Sequence, residues 1–160
     1  MGKFNFNEEE FKKARDEAKR LYQLLDSVYC PYLKEKILFN TKGFHHLKFK
    51  SDQQARAHKD QYSRLKLLYL APQVLSKSHT LQGIWRTRRL EPHKTSGKWK
   101  YIMKDIIFYE FIAVLENVRI KVIVKEVFGG ERYFWSIIPY WGIDKLGSKR
   151  MLHAGNPDSD

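Results

Sequence analysis

The sequence predicts an α+β protein in which N-terminal helices pack on a four-stranded antiparallel sheet. Two observations carry this. Apolar residues recur at spacings of three and four in the first half, the period of an amphipathic helix; from Thr80 onward they alternate with polar ones amid β-branched and aromatic residues, the period of a strand. A third observation bounds the size. With 160 residues, 42% apolar and 30% charged, the chain suffices for one core and is not collagenous, low-complexity or wholly disordered.

Residues 8–27 open with Glu8, Glu9 and Glu10, which suit the positive end of a helix dipole, and carry Phe11, Ala14, Ala18, Leu21 and Leu25 on one stripe. Pro31 breaks that pattern, and ILFN (37–40) reads as a short strand before the turn residues Thr41, Lys42 and Gly43. A second helix is expected over 51–71, with Ser51 as N-cap and Tyr62, Leu65, Leu68 and Tyr69 turned inward. Arg56, Lys59, Ser63 and Lys66 fall on another stripe and would form an outward basic face. Pro72 starts a further helical turn through Ser76. Strands follow near 81–90, 100–115, 118–128 and 131–138. They are separated by EPHKTSGK (91–98), by Glu116 and Asn117, and by Gly129 and Gly130, a pair suited to a two-residue turn with positive φ. This divides the chain into an N-terminal helix (1–30), a main domain (31–142) and a tail (143–160) whose GNPDSD end lacks an apolar anchor and is expected to be disordered.

The charge is uneven. Residues 32–104 hold 17 Lys and Arg against 4 Asp and Glu, a net of +13, whereas the rest holds 13 against 14, a net of −1. A positive field concentrated on part of a small domain attracts polyanions, of which nucleic acid is the commonest. No apolar run approaches the roughly 20 residues of a membrane span, and the N-terminus lacks the apolar centre of a signal peptide. The single cysteine, Cys30, cannot form an internal disulfide or a multi-cysteine zinc site, which favours a reducing compartment. A cytoplasmic protein with no membrane partner is expected.

Counting outward from a two-residue turn at Gly129 and Gly130 puts Lys125 opposite Phe134, Ile123 opposite Ser136 and Lys121 opposite Ile138. A turn at Glu116 and Asn117 puts Lys121 opposite Ile112 and Ile123 opposite Glu110. Glu110, Arg119, Lys121, Lys125 and Ser136 then share one surface, while Val122, Val124, Tyr133, Trp135 and Ile137 line the core. A one-residue bulge would flip part of either set. Cations, a carboxylate and a hydroxyl on one face suit a phosphodiester, although alternating Lys and Arg on a strand also serve simple solvation.

GFHHLKFK (43–50) supplies the other candidates. In an extended segment His45 and His46 point to opposite sides, so one of them is free for proton transfer, and Lys48 and Lys50 could hold a phosphate. Cys30, His58, His79 and His93 show no metal-ligand spacing, so neither metal nor other cofactor is expected.

The order helix, ILFNTKGFHHLKFK, basic helix ending in RLKLLYLAP, and meander ending in IKVIVKEVFGGERYFWSIIPYW resembles the phage-associated branch of the barnase, EndoU, colicin and RelE-like nuclease superfamily over about residues 37–141. The resemblance implies helices on a four-stranded sheet and metal-independent RNA cleavage, in a toxin whose partners are RNA and an antitoxin or immunity protein. Residue types at matching positions are His46 in GFHHL, Arg64 and Lys66 in RLKLL, Lys121 and Lys125 on the penultimate strand, and Ser136 in FWSIIP; Glu110 is a candidate carboxylate base. Leu47 and Phe49 favour the core in an extended segment, which with the family-like position assigns His46 to the active surface and His45 to packing. Arg56, Lys59, Lys66, Lys48 and Lys121 are the expected RNA contacts. The alternative is a non-catalytic RNA-binding module of a mobile element.

Overall fold

Asn7 starts the first helix. Its side chain accepts from the N–H of Glu10 (2.8 Å), whose carboxylate accepts from the N–H of Asn7 (3.3 Å), and this reciprocal cap opens α1 (Glu8–Leu24) in a computed structural model that describes residues 6–51, 53–139 and 156–160. Then come β1 (Ser27–Cys30), β2 (Glu35–Leu38), α2 (Thr41–Lys48), β3 (Phe49–Ser51), β4 (Gln54–Ala55) and α3 (His58–Leu67). A 3-10 turn (Leu68–Leu70) and α4 (Ala71–Lys77) precede β5 (Gly83–Thr95), β6 (Lys98–Leu115), β7 (Val118–Val127) and β8 (Arg132–Pro139).

The sheet has six strands in the order β1-β2-β8-β7-β6-β5, rather than four. β5 to β8 form the expected antiparallel meander, and the β1–β2 hairpin adds to its β8 edge through a parallel pairing of Leu38 with Tyr133. Residues 91–98 are not a loop. Both strands run on to Thr95 and Lys98, and the reversal is confined to Ser96 and Gly97, both at positive φ (52° and 79°).

Two helical expectations change. Residues 43–48 are not extended, because the Asn40 side chain accepts from the N–H of Gly43 (3.2 Å) and starts α2 there; only Phe49 and Lys50 of this motif are in a strand. The helix expected over 51–71 begins only at His58, after the small β3–β4 hairpin. Arg56 therefore precedes the helix and is buried, and so is Arg64.

The β6–β7 register is the expected one. Glu116 and Asn117 take positive φ (50° and 62°), Ile112 pairs with Lys121, and Glu110 with Ile123. The β7–β8 hairpin differs near its turn. Glu126 pairs with Arg132 and Lys125 with Tyr133, so the connection is one residue longer than two; only Gly129 there has positive φ (81°). A bulge between Ile123 and Val124 restores the expected pairing of Ile123 with Ser136 and Lys121 with Ile138. The bulged residue is Trp135.

Phe39, Leu47, Leu68, Leu75, Phe111, Val122, Val124, Phe134 and Ile137 belong to the main core between helices and sheet. Ile106, Phe108, Ile123 and Ile138 form a smaller cluster, with Trp85 and Trp135 packed against it. Of the tail expected to be disordered, residues 143–155 lie outside the described residues, while Asn156–Asp160 are docked on the protein, as shown below. Among the described residues no helix is long and apolar enough to cross a membrane.

Candidate anion-binding site

The site is assembled on the second face of β6, β7 and β8. Alternation from Ile123 puts Lys121 and Lys125 on one side of β7, Glu110 opposite Ile123 on β6, and Ser136 opposite Ile123 on β8. All four are buried, with Lys121 only 1% exposed. The bulge adds Trp135 to this face, where it packs with Phe108 and Ile123 instead of lining the helix-side core, and Tyr133 now pairs with Lys125.

Gly43 sets how close α2 lies to β8. A Cβ at that position would stand 2.2 Å from the Phe134 carbonyl oxygen, so only glycine admits this approach. His46, three residues on and hence near the same helix face, stacks on Trp135 with ring centroids 3.9 Å apart. His45 is exposed and stacks on Phe49 (4.5 Å), so the packed role expected for it belongs to His46 instead.

Arg56 reaches the same place from the link before α3. Its Nε donates to the His46 carbonyl (2.9 Å) and its Nη2 lies 2.9 Å from His46 Nε2. A guanidinium only donates, so His46 Nε2 is the acceptor and the ring is neutral. Burial, then the charges of Arg56, Arg64 and Lys125, push the His46 pKa down to about 2. Burial and Arg64 likewise pull the Arg56 pKa down to about 10 against the opposing pull of Asp60, leaving it charged at neutral pH.

Asp60 aligns the two arginines. Its carboxylate accepts from Arg64 Nε (2.7 Å) and from Arg56 Nη1 (3.4 Å). Arg64 Nη1 then donates to Ser136 Oγ (2.6 Å). Lys121 Nζ stands 3.7 Å from Glu110 Oε2. Lys125 Nζ stands 3.6 Å from Glu91 Oε1 and 4.1 Å above the Trp135 ring, and burial lowers its pKa more than Glu91 restores it.

These donors converge on Asn156–Asp160. The main-chain oxygen of Asp160 accepts from Ser136 Oγ (2.8 Å), from Arg56 Nη2 (3.2 Å) and from Arg64 Nη1. Arg56 Nη2 also donates to the Ser159 carbonyl (2.9 Å), and Lys121 Nζ lies 3.5 Å from Asp160 Oδ2. Farther out, Trp135 Nε1 donates to the Pro157 carbonyl (3.2 Å), and Arg89 on β5 pairs with Asp158 (2.7 Å). The arrangement is a buried cationic cradle holding an acidic peptide.

Of the residues singled out from sequence, His46, Arg56, Arg64, Glu110, Lys121, Lys125 and Ser136 are brought together. Three are not. Lys59 is exposed on α3, Lys66 is exposed over the Tyr62 ring, and Lys48 is half-buried over Phe44, within the field of Arg15 and Lys19 on α1. Sequence reasoning missed Asp60, Trp135, Tyr133, Arg89 and Glu91. Asp60 had a signal in the spacing of Arg56, Asp60 and Arg64 at intervals of four; Asp60 and Arg64 share a face of α3, and Arg56 meets the same carboxylate from just before the helix. A pocket of about 640 Å³ opens beside the cradle, lined in part by Lys42, His45, Tyr101, Lys125, Tyr133 and Trp135. Among the described residues no group of three or more His, Cys, Asp or Glu is placed to hold a metal ion.

Comparison of the chain with protein-family models, with curated proteins and with solved structures finds no match.

Proposed function

We propose that the cradle binds a phosphodiester of RNA and cleaves it without a metal, as expected of a toxin resembling the barnase, EndoU, colicin and RelE-like nucleases. The observation carrying this reading is the convergence of Arg56, Arg64 and Ser136 on one main-chain oxygen of Asp160, with Lys121 beside the carboxylate of the same residue. Three donors on a single acceptor in a desolvated site suit a phosphoryl oxygen that gains charge in the transition state. In this reading Arg56, Arg64 and Lys121 hold the non-bridging oxygens, and Ser136 orients them.

Proton transfer falls to other groups than the histidine. His46 is neutral with Nε2 engaged by Arg56, so it positions that guanidinium rather than serving as acid or base. Glu110, next to Lys121, is the base that removes the ribose 2′-hydroxyl proton. The oxygen so freed attacks phosphorus, the bond to the 5′-oxygen breaks, and the Lys125 ammonium, whose burial makes it more acidic, protonates the leaving oxygen. The products are a 2′,3′-cyclic phosphate and a 5′-hydroxyl. DNA lacks the attacking group.

Purified protein incubated with bacterial RNA in EDTA should produce new ends bearing cyclic phosphate, and Arg64→Ala or Glu110→Gln should lower the rate at least ~100-fold. Activity abolished by EDTA and restored by magnesium would reject the mechanism. The second reading is a non-catalytic RNA-binding module. It is favoured by the engaged, neutral His46, and would show as RNA retention that weakens with salt while no new ends appear.

A further inference from the structure

Resting on that reading, we infer that Asn156–Asp160 is an intramolecular latch whose oxygens occupy the phosphate positions, so that RNA enters only when the segment leaves. The contacts are those of an anion mimic. One oxygen of Asp160 receives donors from Arg56, Arg64 and Ser136, its side chain lies 3.5 Å from Lys121, and Asp158 pairs with Arg89. Every cradle cation proposed for phosphate is thus already engaged by the segment.

The segment is held at the site by polar contacts: Arg56, Arg64, Ser136 and Trp135 donate to its main-chain oxygens, Arg89 pairs with Asp158, and Lys121 lies beside the Asp160 carboxylate. A competitor carried on the same chain binds intramolecularly, at an effective concentration set by its tether and not by the bulk. It therefore lowers the apparent affinity for RNA by the ratio of that concentration to its own dissociation constant, without altering the cradle. Two carboxylates, Asp158 and Asp160, supply its charge.

The test is RNA affinity in the full chain, measured with a 2′-O-methyl oligonucleotide that cannot be cleaved. Asp158→Asn with Asp160→Asn, and separately replacement of residues 156–160 by a Gly-Ser stretch of equal length, should each tighten binding at least ~10-fold. A labelled peptide Asn-Pro-Asp-Ser-Asp should bind the Gly-Ser chain, compete with the oligonucleotide, and lose affinity on Arg64→Ala. Equal oligonucleotide affinity in all three chains, with cleavage intact, would overturn the latch and leave the nuclease reading standing. Peptide binding with no oligonucleotide binding in any chain would overturn the RNA reading and leave the segment as the cradle's own ligand. Melting curves of the two variants guard against unfolding, since they remove different contacts.

Discussion

On the face of β6, β7 and β8 that meets the helices, Phe111, Val122, Val124, Phe134 and Ile137 are buried among apolar neighbours, whereas the opposite face buries Glu110, Lys121, Lys125 and Ser136. The same strands therefore carry two interiors. The first is stabilised by removing carbon from water and by close packing. The second holds charges whose desolvation is costly and is offset only by partners at short range. The second face therefore adds little to stability, and it is the face that carries the proposed site.

Substitutions that tell the two faces apart should separate in size. Phe134→Ala removes a ring stacked on Phe39 (5.0 Å) at zero exposure and should lower unfolding free energy by about 3–5 kcal/mol in denaturant titration. Lys121→Met removes the cation paired with Glu110 and should cost about 3 kcal/mol; adding Glu110→Leu should recover most of it while, on the proposed reading, RNA binding stays lost. A double variant no more stable than the single one would mean that the stranded carboxylate is not what the single change exposes.

The next effect depends on pH. His46 titrates near 6.5 in the unfolded chain and is held down to about 2 in the folded one by burial and by Arg56, Arg64 and Lys125. Between these values the unfolded chain binds a proton that the folded chain refuses. The His46 contribution is therefore whole above pH 6.5 and shrinks as pH falls below it, at about 1 kcal/mol per pH unit between 6.5 and 5.5. His46→Gln should flatten the stability profile in that window by this amount, and parallel profiles would place the ring in water. The smallest effect belongs outside both interiors. Arg88 pairs with Asp105 at 70% and 67% exposure, so Arg88→Ala should change stability by less than ~0.5 kcal/mol and leave RNA affinity nearly unchanged.

The two β hairpins show why legibility stopped where it did. Glu116 and Asn117 form the two-residue turn that their flanks suggest, and the register counted from them is the observed one through Glu110. Gly129 and Gly130 carry an equally strong local signal, yet the loop takes an extra residue and the strand takes a compensating bulge. The errors cancel at Ser136 and do not cancel at Tyr133 and Trp135. In the helical half, the cue missed at residues 43–50 was Asn40, a cap for the helix that turns His46 inward and His45 outward.

By itself the sequence determined the change from helical to strand period at Thr80, the β6–β7 register, and the sharing of one face by Glu110, Lys121 and Lys125. Each follows from chain neighbours or from one turn, where geometry is set within a few residues. Only the tertiary structure decided the parallel edge pair of β2 and β8, the arrival of Arg56 and Arg64 over Ser136, the transfer of Trp135 to the cationic face, and the seating of Asn156–Asp160 there. Those contacts join groups from 72 to 104 positions apart for Arg64 with Ser136 and Arg56 with Asp160. Their formation depends on how several packed elements divide apolar burial against charge desolvation, a sum that no local pattern of residues contains.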